Sequence, residues 1–263
     1  MKTVKIDLPR ELEYLRIYAF ADWHIGDAHC DMKRITQDIE SVKADEHTYC
    51  VLNGDICNNA TKTSVSDVYS ESIKPMEQMK RACELLEPIK DKILLISQGN
   101  HEARTYRNDG IDLTALICRE LDIDDRYVAE GGVLFLRFGQ NNRKEHKSNE
   151  IYRRLCYSLY MTHGSGGGKK EGGKVNRLAD LASIIDTDVY IHSHTHLPVV
   201  MKESFFRIDA KNSAVAQVEK LFVNTAATLG YGGYGQTFGF KPSSTATPII
   251  ILSGLRKEMT AIL

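Results

Sequence analysis

The chain has 263 residues, 42% of them apolar and 26% charged, which is the balance of a folded globular protein and excludes wholesale disorder. Lys and Arg total 34 against 35 Asp and Glu, for a net charge of −1, so nucleic acid cannot be held by overall charge and any such contact must be local. No apolar run reaches the ~18 residues of a membrane span, and residues 1–9 lack the apolar stretch of a signal peptide. No membrane partner is therefore expected. The length suits one α/β domain over residues 1–263, with no linker or internal repeat to divide it. Cys30, Cys50, Cys57, Cys83, Cys118 and Cys156 form no Cys-x-x-Cys pair. The expectation is mostly buried free thiols in a reducing, cytoplasmic setting, rather than disulfides or a thiolate zinc site.

Apolar runs alternate with helical patterns along the first half. Residues 4–8 read as an edge strand and 15–21 as a buried strand. A helix is predicted over 32–44, with Asp31 as N-cap and Ile35, Ile39 and Val42 on one face. A strand follows at 48–52, a helix at 72–86, a strand at 92–97 and a helix at 111–121. Segments 133–138 and 155–161 read as strands that pair across a charged loop, 139–150. A helix is expected at 175–185 and a strand at 188–191. Further strands are expected at 198–202, 220–223 and 248–252. A chain that begins βαβα and ends mostly β predicts two packed sheets with helices outside. The Gly- and aromatic-rich stretch 225–246 is a long loop, expected to pack against the sheet or, alternatively, to stack on bases.

The residues able to bind metal fall at strand ends. Asp22-x-His24 follows the strand at 15–21, and Gly54-Asp55 follows that at 48–52. Gly99-Asn100-His101-Glu102 follows the strand at 92–97, His163 that at 155–161, and His194-x-His196 that at 188–191. In α/β sheets, ligands bind at the carboxyl ends of strands, so five strand ends would deliver oxygen and imidazole donors to one edge. Each residue alone is an ordinary cap, turn former or hydrogen-bonded histidine. The ordered set is not.

This series resembles the five motif blocks of the calcineurin-like metallophosphoesterase superfamily, over residues 22–196. The resemblance implies a four-layer αββα double β-sandwich flanked by helices, with two metal ions. It implies Asp22, His24 and His196 on the first metal, Asn100, His163 and His194 on the second, and Asp55 bridging both. His101 would be the proton donor or transition-state stabiliser. Carboxylate, amide and imidazole donors without thiolate suit Mn²⁺, the leading expectation, or Fe or Zn²⁺. Two divalent ions carry four positive charges against two negative ones from Asp22 and Asp55. The excess would attract a phosphate and acidify a bridging water to a hydroxide that attacks phosphorus.

Some positions depart from the family pattern. Ser193 stands where glycine is common, and a modest adjustment is expected. His192 is an added imidazole, read as packing beside the ligands. The protein Ser/Thr phosphatase branch has an Asp three residues after the bridging Asp; here that position is Asn58, which leaves the partner of His101 open and argues against a protein phosphatase. The stretch Gly168 to Lys174 imitates a nucleotide P-loop but continues into Val175 instead of Ser or Thr. Arg104, Arg107, Lys169 and Lys170, with Lys174, are candidate substrate contacts. The expected function is metal-dependent phosphoester hydrolysis. The charge count leans toward a phosphodiesterase, a nuclease among the options. A phosphomonoesterase acting on a nucleotide or other small molecule is the alternative, and a non-catalytic metal-binding scaffold a third reading.

Overall fold

The near-continuous apolar run of residues 15–20 is the signature of a strand covered on both faces. The computed structural model describes residues 1–9, 11–62, 64, 68–139 and 155–263. In it, this run forms β2 (Tyr14–Phe20), flanked in parallel by β3 (Thr48–Asn53), β4 (Ile93–Ser97) and the short β5 (Tyr127–Val128). Antiparallel β11 (Ile249–Ser253) and β12 (Met259–Ile262) complete a six-stranded sheet of order β12-β11-β2-β3-β4-β5. The second sheet has the order β1-β6-β7-β8-β10-β9. Its strands are β1 (Lys2–Asp7), β6 (Gly132–Phe138), β7 (Leu155–Thr162), β8 (Val189–His192), β9 (Val199–Asp209) and β10 (Ala214–Asn224).

The sheets face each other through Ile17, Ala19, Val51 and Leu95 on one side and Leu134, Leu159, Ile191 and Val223 on the other. Alternate residues Phe20, Leu52 and Ile96 point the opposite way. They meet α1 (Met32–Ala44), α2 (Pro75–Leu86) and α4 (Leu113–Glu120) through Ile35, Ile39, Leu86 and Ile117. Tyr160, Tyr190 and Phe222 on the outer face of the second sheet are covered by Leu178 of α5 (Glu171–Asp180) and by Leu181. The result is the αββα layering expected. All six cysteines are free thiols, four of them buried.

Several elements differ from expectation for physical reasons. The segment Glu102–Asp109 forms α3, although its residues are polar and only Glu102 is buried. Its ends hold it. The His101 amide donates to Asp55 Oδ1 at 2.8 Å, and Gly110, at φ 71°, closes the helix with its amide on Tyr106 O at 2.9 Å. Helix α2 starts later than predicted, at Pro75, where proline and the Glu77 carboxylate, which accepts from the Lys74 amide at 3.0 Å, fix the first turn. Helix α5 starts earlier, at Glu171, since Gly172 and Gly173 are tolerated in its first turn. The strands at 198–202 and 220–223 are the inner ends of one hairpin with eleven residues per arm. The strand pairing expected of 133–138 and 155–161 is present as β6 and β7. The charged loop between them lies, beyond Gly139, outside the described residues.

Candidate metal centre

Strands β2, β3 and β4 run parallel, as do β7, β8 and β10, so their carboxyl ends gather at one edge of the sandwich. The candidate ligands sit just past these ends. Five of them occupy left-handed backbone: Asp22 (φ 51°), His24 (50°), Asp55 (52°), His194 (67°) and His196 (54°). Non-glycine residues rarely adopt this conformation, and clusters of it mark functional sites. Gly54 and Gly99 let the Asp55 and Asn100 loops touch backbone to backbone. A Cβ on Gly99 would overlap the amide and carboxylate of Asp55, and one on Gly54 would overlap Gly99.

Two donor groups result, each with its ligand atoms within 4.8 Å of one another: Asp22, His24 and His196, and Asp55, His163 and His194. A third group, His24, Asp55 and His101, spans the space between them. Asn100 Oδ1 lies 3.0 Å from His163 Nε2, which is 3.2 Å from Asp55 Oδ2. The seven sequence-predicted ligands therefore form one continuous cluster, in which the third group joins the other two. His192 does not join them. Its Nδ1 pairs with Asn224 Oδ1 at 2.7 Å, and its ring fills the space that a Cβ on Gly164 would need.

The donor atoms fit cations. His24 Nε2 and His196 Nε2 stand 3.4 Å apart, 4.0 and 3.2 Å respectively from Asp22 Oδ1. That oxygen is buried with no hydrogen-bond partner among the described residues, as is His194 Nδ1. Buried polar atoms are normally satisfied, and lone pairs converging in this way are reconciled by a positive ion. The electrostatics agree. Burial, reinforced by the His101 ring, holds His24 well below the usual histidine range. Burial and His163 bring His194 to about 4, so both imidazoles present free lone pairs at neutral pH. Burial would raise Asp55, but His163 and His101 facing it pull it well below the carboxylate range.

Residues without an assigned role in the sequence hold the candidate ligands in place. Asn53, fully buried, donates from Nδ2 to Thr162 O at 2.8 Å and Ser193 Oγ at 2.6 Å. It accepts from Ser97 Oγ at 2.7 Å, and its carbonyl accepts from His163 Nδ1 at 2.6 Å. Four strand ends are thereby tied to one side chain. Ser193 thus supplies a bond that glycine could not make. Glu102, also fully buried, accepts from the amides of Gly99 (3.0 Å), Asp55 (3.1 Å) and Cys57 (2.8 Å). Burial and the nearby Asp55 raise its pKa to about 7. An acid in the first turn of a helix with no apolar face was the available signal for this role. The open partner of His101 is the backbone carbonyl of Asn58, which accepts from Nδ1 at 2.7 Å whatever side chain stands there. His101 Nε2 then faces Asp55 Oδ2 at 3.8 Å.

A cleft of about 390 Å³ opens over this centre. Arg104, Lys174 and Lys241 line it, with Tyr231 and Phe240 from the Gly-rich stretch. That stretch is thus a wall of the cleft, and it includes a short helix, α6 (Gly233–Thr237). Arg104 Nη1 donates to the same Asn58 carbonyl at 3.1 Å. Arg107, Lys169 and Lys170 are exposed and outside the lining. A larger groove of about 620 Å³, beside Met32, Ile73 and Arg81, holds none of the three donor groups.

The family model for calcineurin-like phosphoesterases matches residues 15–198, and the chain belongs to that family. Its chemistry is metal-dependent phosphoester hydrolysis, and the donor groups support divalent cations. Among solved structures, the chain is similar to a metallophosphoesterase from Sphaerobacter thermophilus (13% identity, 95% of this chain and 89% of that one, TM-score 0.39). It is also similar to Vps29 complexed with Zn²⁺ from Entamoeba histolytica (11%, 94% and 97%, TM-score 0.40) and to Pseudomonas putida nuclease MPE (14%, 94% and 87%, TM-score 0.35). No curated protein matched in sequence. Among the described residues, no helix is long and apolar enough to cross a membrane.

Proposed function

We propose that this chain is a binuclear phosphodiesterase, with residues 1–263 acting as one catalytic domain. The observation that carries the reading is the pair of donor groups, Asp22/His24/His196 and Asp55/His163/His194, linked through the group His24, Asp55 and His101. Asp22, His24 and His196 would hold one cation and Asn100, His163 and His194 the other, with Asp55 available to both. Mn²⁺ suits this oxygen and imidazole set, with Fe or Zn²⁺ the other candidates. Bound divalent cations supply the Lewis acidity that polarises a phosphoryl oxygen and activates water.

The chain's own groups do the rest. The Asn58 carbonyl fixes the Nδ1 proton of His101, so only the imidazolium form donates from Nε2, and it delivers that proton to the leaving oxygen. Arg104 and Lys174, which both line the cleft, orient the phosphate. Two carboxylates leave a dication two charges short of neutral, which one hydroxide equivalent and one diester anion complete. A monoester dianion carries one charge more, and the lining Arg104, Lys174 and Lys241 favour it as the second reading. Free thiols fit a reducing, cytoplasmic setting. Turnover of bis-p-nitrophenyl phosphate and p-nitrophenyl phosphate with Mn²⁺ separates the two readings. A higher kcat/KM on the diester supports the proposal; a strong monoester preference replaces it with the second reading.

A further inference from the structure

The β9–β10 hairpin outruns the sheet that carries it. β8 begins at Val189, opposite Leu221, so residues 214–220 and their β9 partners extend past β8, the strand that joins them to the sheet, for about 20 Å. They leave from the amino end of β10, opposite the edge that bears the metal centre. On this arm Ile208 pairs with Val215, and Gln217 with Phe206. These side chains continue the face that buries Leu221 and Val223 between the sheets, yet Phe206, Ile208 and Val215 are 79%, 77% and 66% exposed. β9 is also the last strand of its sheet, eleven residues long without proline, and among the described residues no strand pairs with its outer edge. Edges of this kind are templates for another strand, and natural proteins commonly shorten, cover or break them.

The pattern along β9 indicates the occupant. Residues 202–219 carry three basic and three acidic side chains, which gives no attraction for a polyanion. The charges complement themselves instead. If a second β9 pairs antiparallel about a two-fold axis at Phe205, Glu203 faces Arg207 twice, Lys202 faces Ile208, and Phe205 faces its own copy. Phe206 and its copy become diagonal neighbours on the apolar face, within reach for aromatic rings. Moving the axis to Phe206 sets Glu203 against Asp209, a like-charge clash; moving it to Ser204 leaves Glu203 against Phe205. We propose that the arm is a homodimer contact in which two β9 strands join edge to edge about Phe205, merging two six-stranded sheets. The interface is isologous, as two-fold symmetry requires.

Light scattering on the eluting full chain, loaded at up to about 100 µM, tests this. A mass of twice 29.6 kDa is expected, and a monomer throughout overturns the proposal. Ile208→Asp should give monomer with phosphoester turnover unchanged, since the arm lies away from the cleft. Glu203→Arg and Arg207→Glu should each raise the dimer Kd about tenfold or more, and the double reversal should restore dimer. Arg207 also pairs with Asp186 of its own chain at 3.0 Å, so thermal melts accompany each variant. The Glu203→Arg result stands alone if Arg207→Glu is poorly folded. A dimer that persists through Ile208→Asp and Glu203→Arg, or charge reversals that fail to rescue each other in folded protein, would refute the register.

Discussion

Asn53→Ala puts the construction of the site to a quantitative test. The side chain makes three buried hydrogen bonds, to Thr162 O (2.8 Å), Ser193 Oγ (2.6 Å) and Ser97 Oγ (2.7 Å). Each neutral bond contributes ~0.5–1.5 kcal/mol net, and a buried group left without a partner costs ~1–3 kcal/mol more. The two serine hydroxyls can rotate; the Thr162 carbonyl cannot. The loss of stability should therefore be about 3–5 kcal/mol, a large share of the ~5–15 kcal/mol that holds a typical domain. Ser97→Ala removes only one of these bonds and should cost ~1 kcal/mol. Urea unfolding monitored by circular dichroism reads both values. The Asn53 carbonyl accepts from His163 Nδ1, and Ser193 precedes His194, so cation affinity should fall in the same variant. A loss below ~1 kcal/mol with unchanged cation binding would show that the strand ends do not depend on this residue.

Three further outcomes follow from the geometry. His101→Ala should keep its cations and slow turnover by about 10²–10⁴-fold, the usual cost of losing a positioned acid, and it should erase the alkaline limb of the rate profile; loss of cations by elemental analysis would make His101 a ligand instead. Gly99→Ala drives a Cβ into the Asp55 backbone, where nothing flexible can yield, so cation binding and activity should vanish together; retention of either in assay would contradict the packing. In cation-free protein the pKa of His163 is raised from 6.5 to about 10: burial alone would lower it, but the Asp55 carboxylate prevails. Its stabilising contribution is complete below pH 6.5 and is lost as pH rises through 10. Chelated protein should thus melt at a lower temperature at pH 10 than at pH 7. Cations must displace one proton, so their affinity should rise about tenfold per pH unit over that window; a flat binding isotherm series would contradict this.

The donor residues were legible in the sequence because parallel strands place their carboxyl ends together, and Asp, Asn and His at those ends are visible without knowledge of packing. Layer order followed from buried runs such as residues 15–20, whose alternate side chains feed two cores. What holds the donors was not legible. Asn53 and Ser193 act through partners 140 positions apart in the chain. Asn58 acts through its carbonyl, for which no residue type is diagnostic. Helix α3 lacks an apolar stripe and is fixed by its ends. The outer half of the β9–β10 hairpin is exposed on both faces, so no alternation marks it. The stretch 225–246 carries glycines and aromatics that suit packing or a cleft wall equally, and only the assembled fold distinguishes them.

The most direct measurement is the number of tightly held divalent ions per chain, by mass spectrometry of metals after Mn²⁺ loading and desalting, in the wild type and in Asp55→Asn. Two ions in the wild type, falling to one or none together with hydrolytic activity in the variant, are expected of a centre joined through that carboxylate. Two ions and normal turnover in Asp55→Asn, or none in the wild type under excess Mn²⁺, would contradict it.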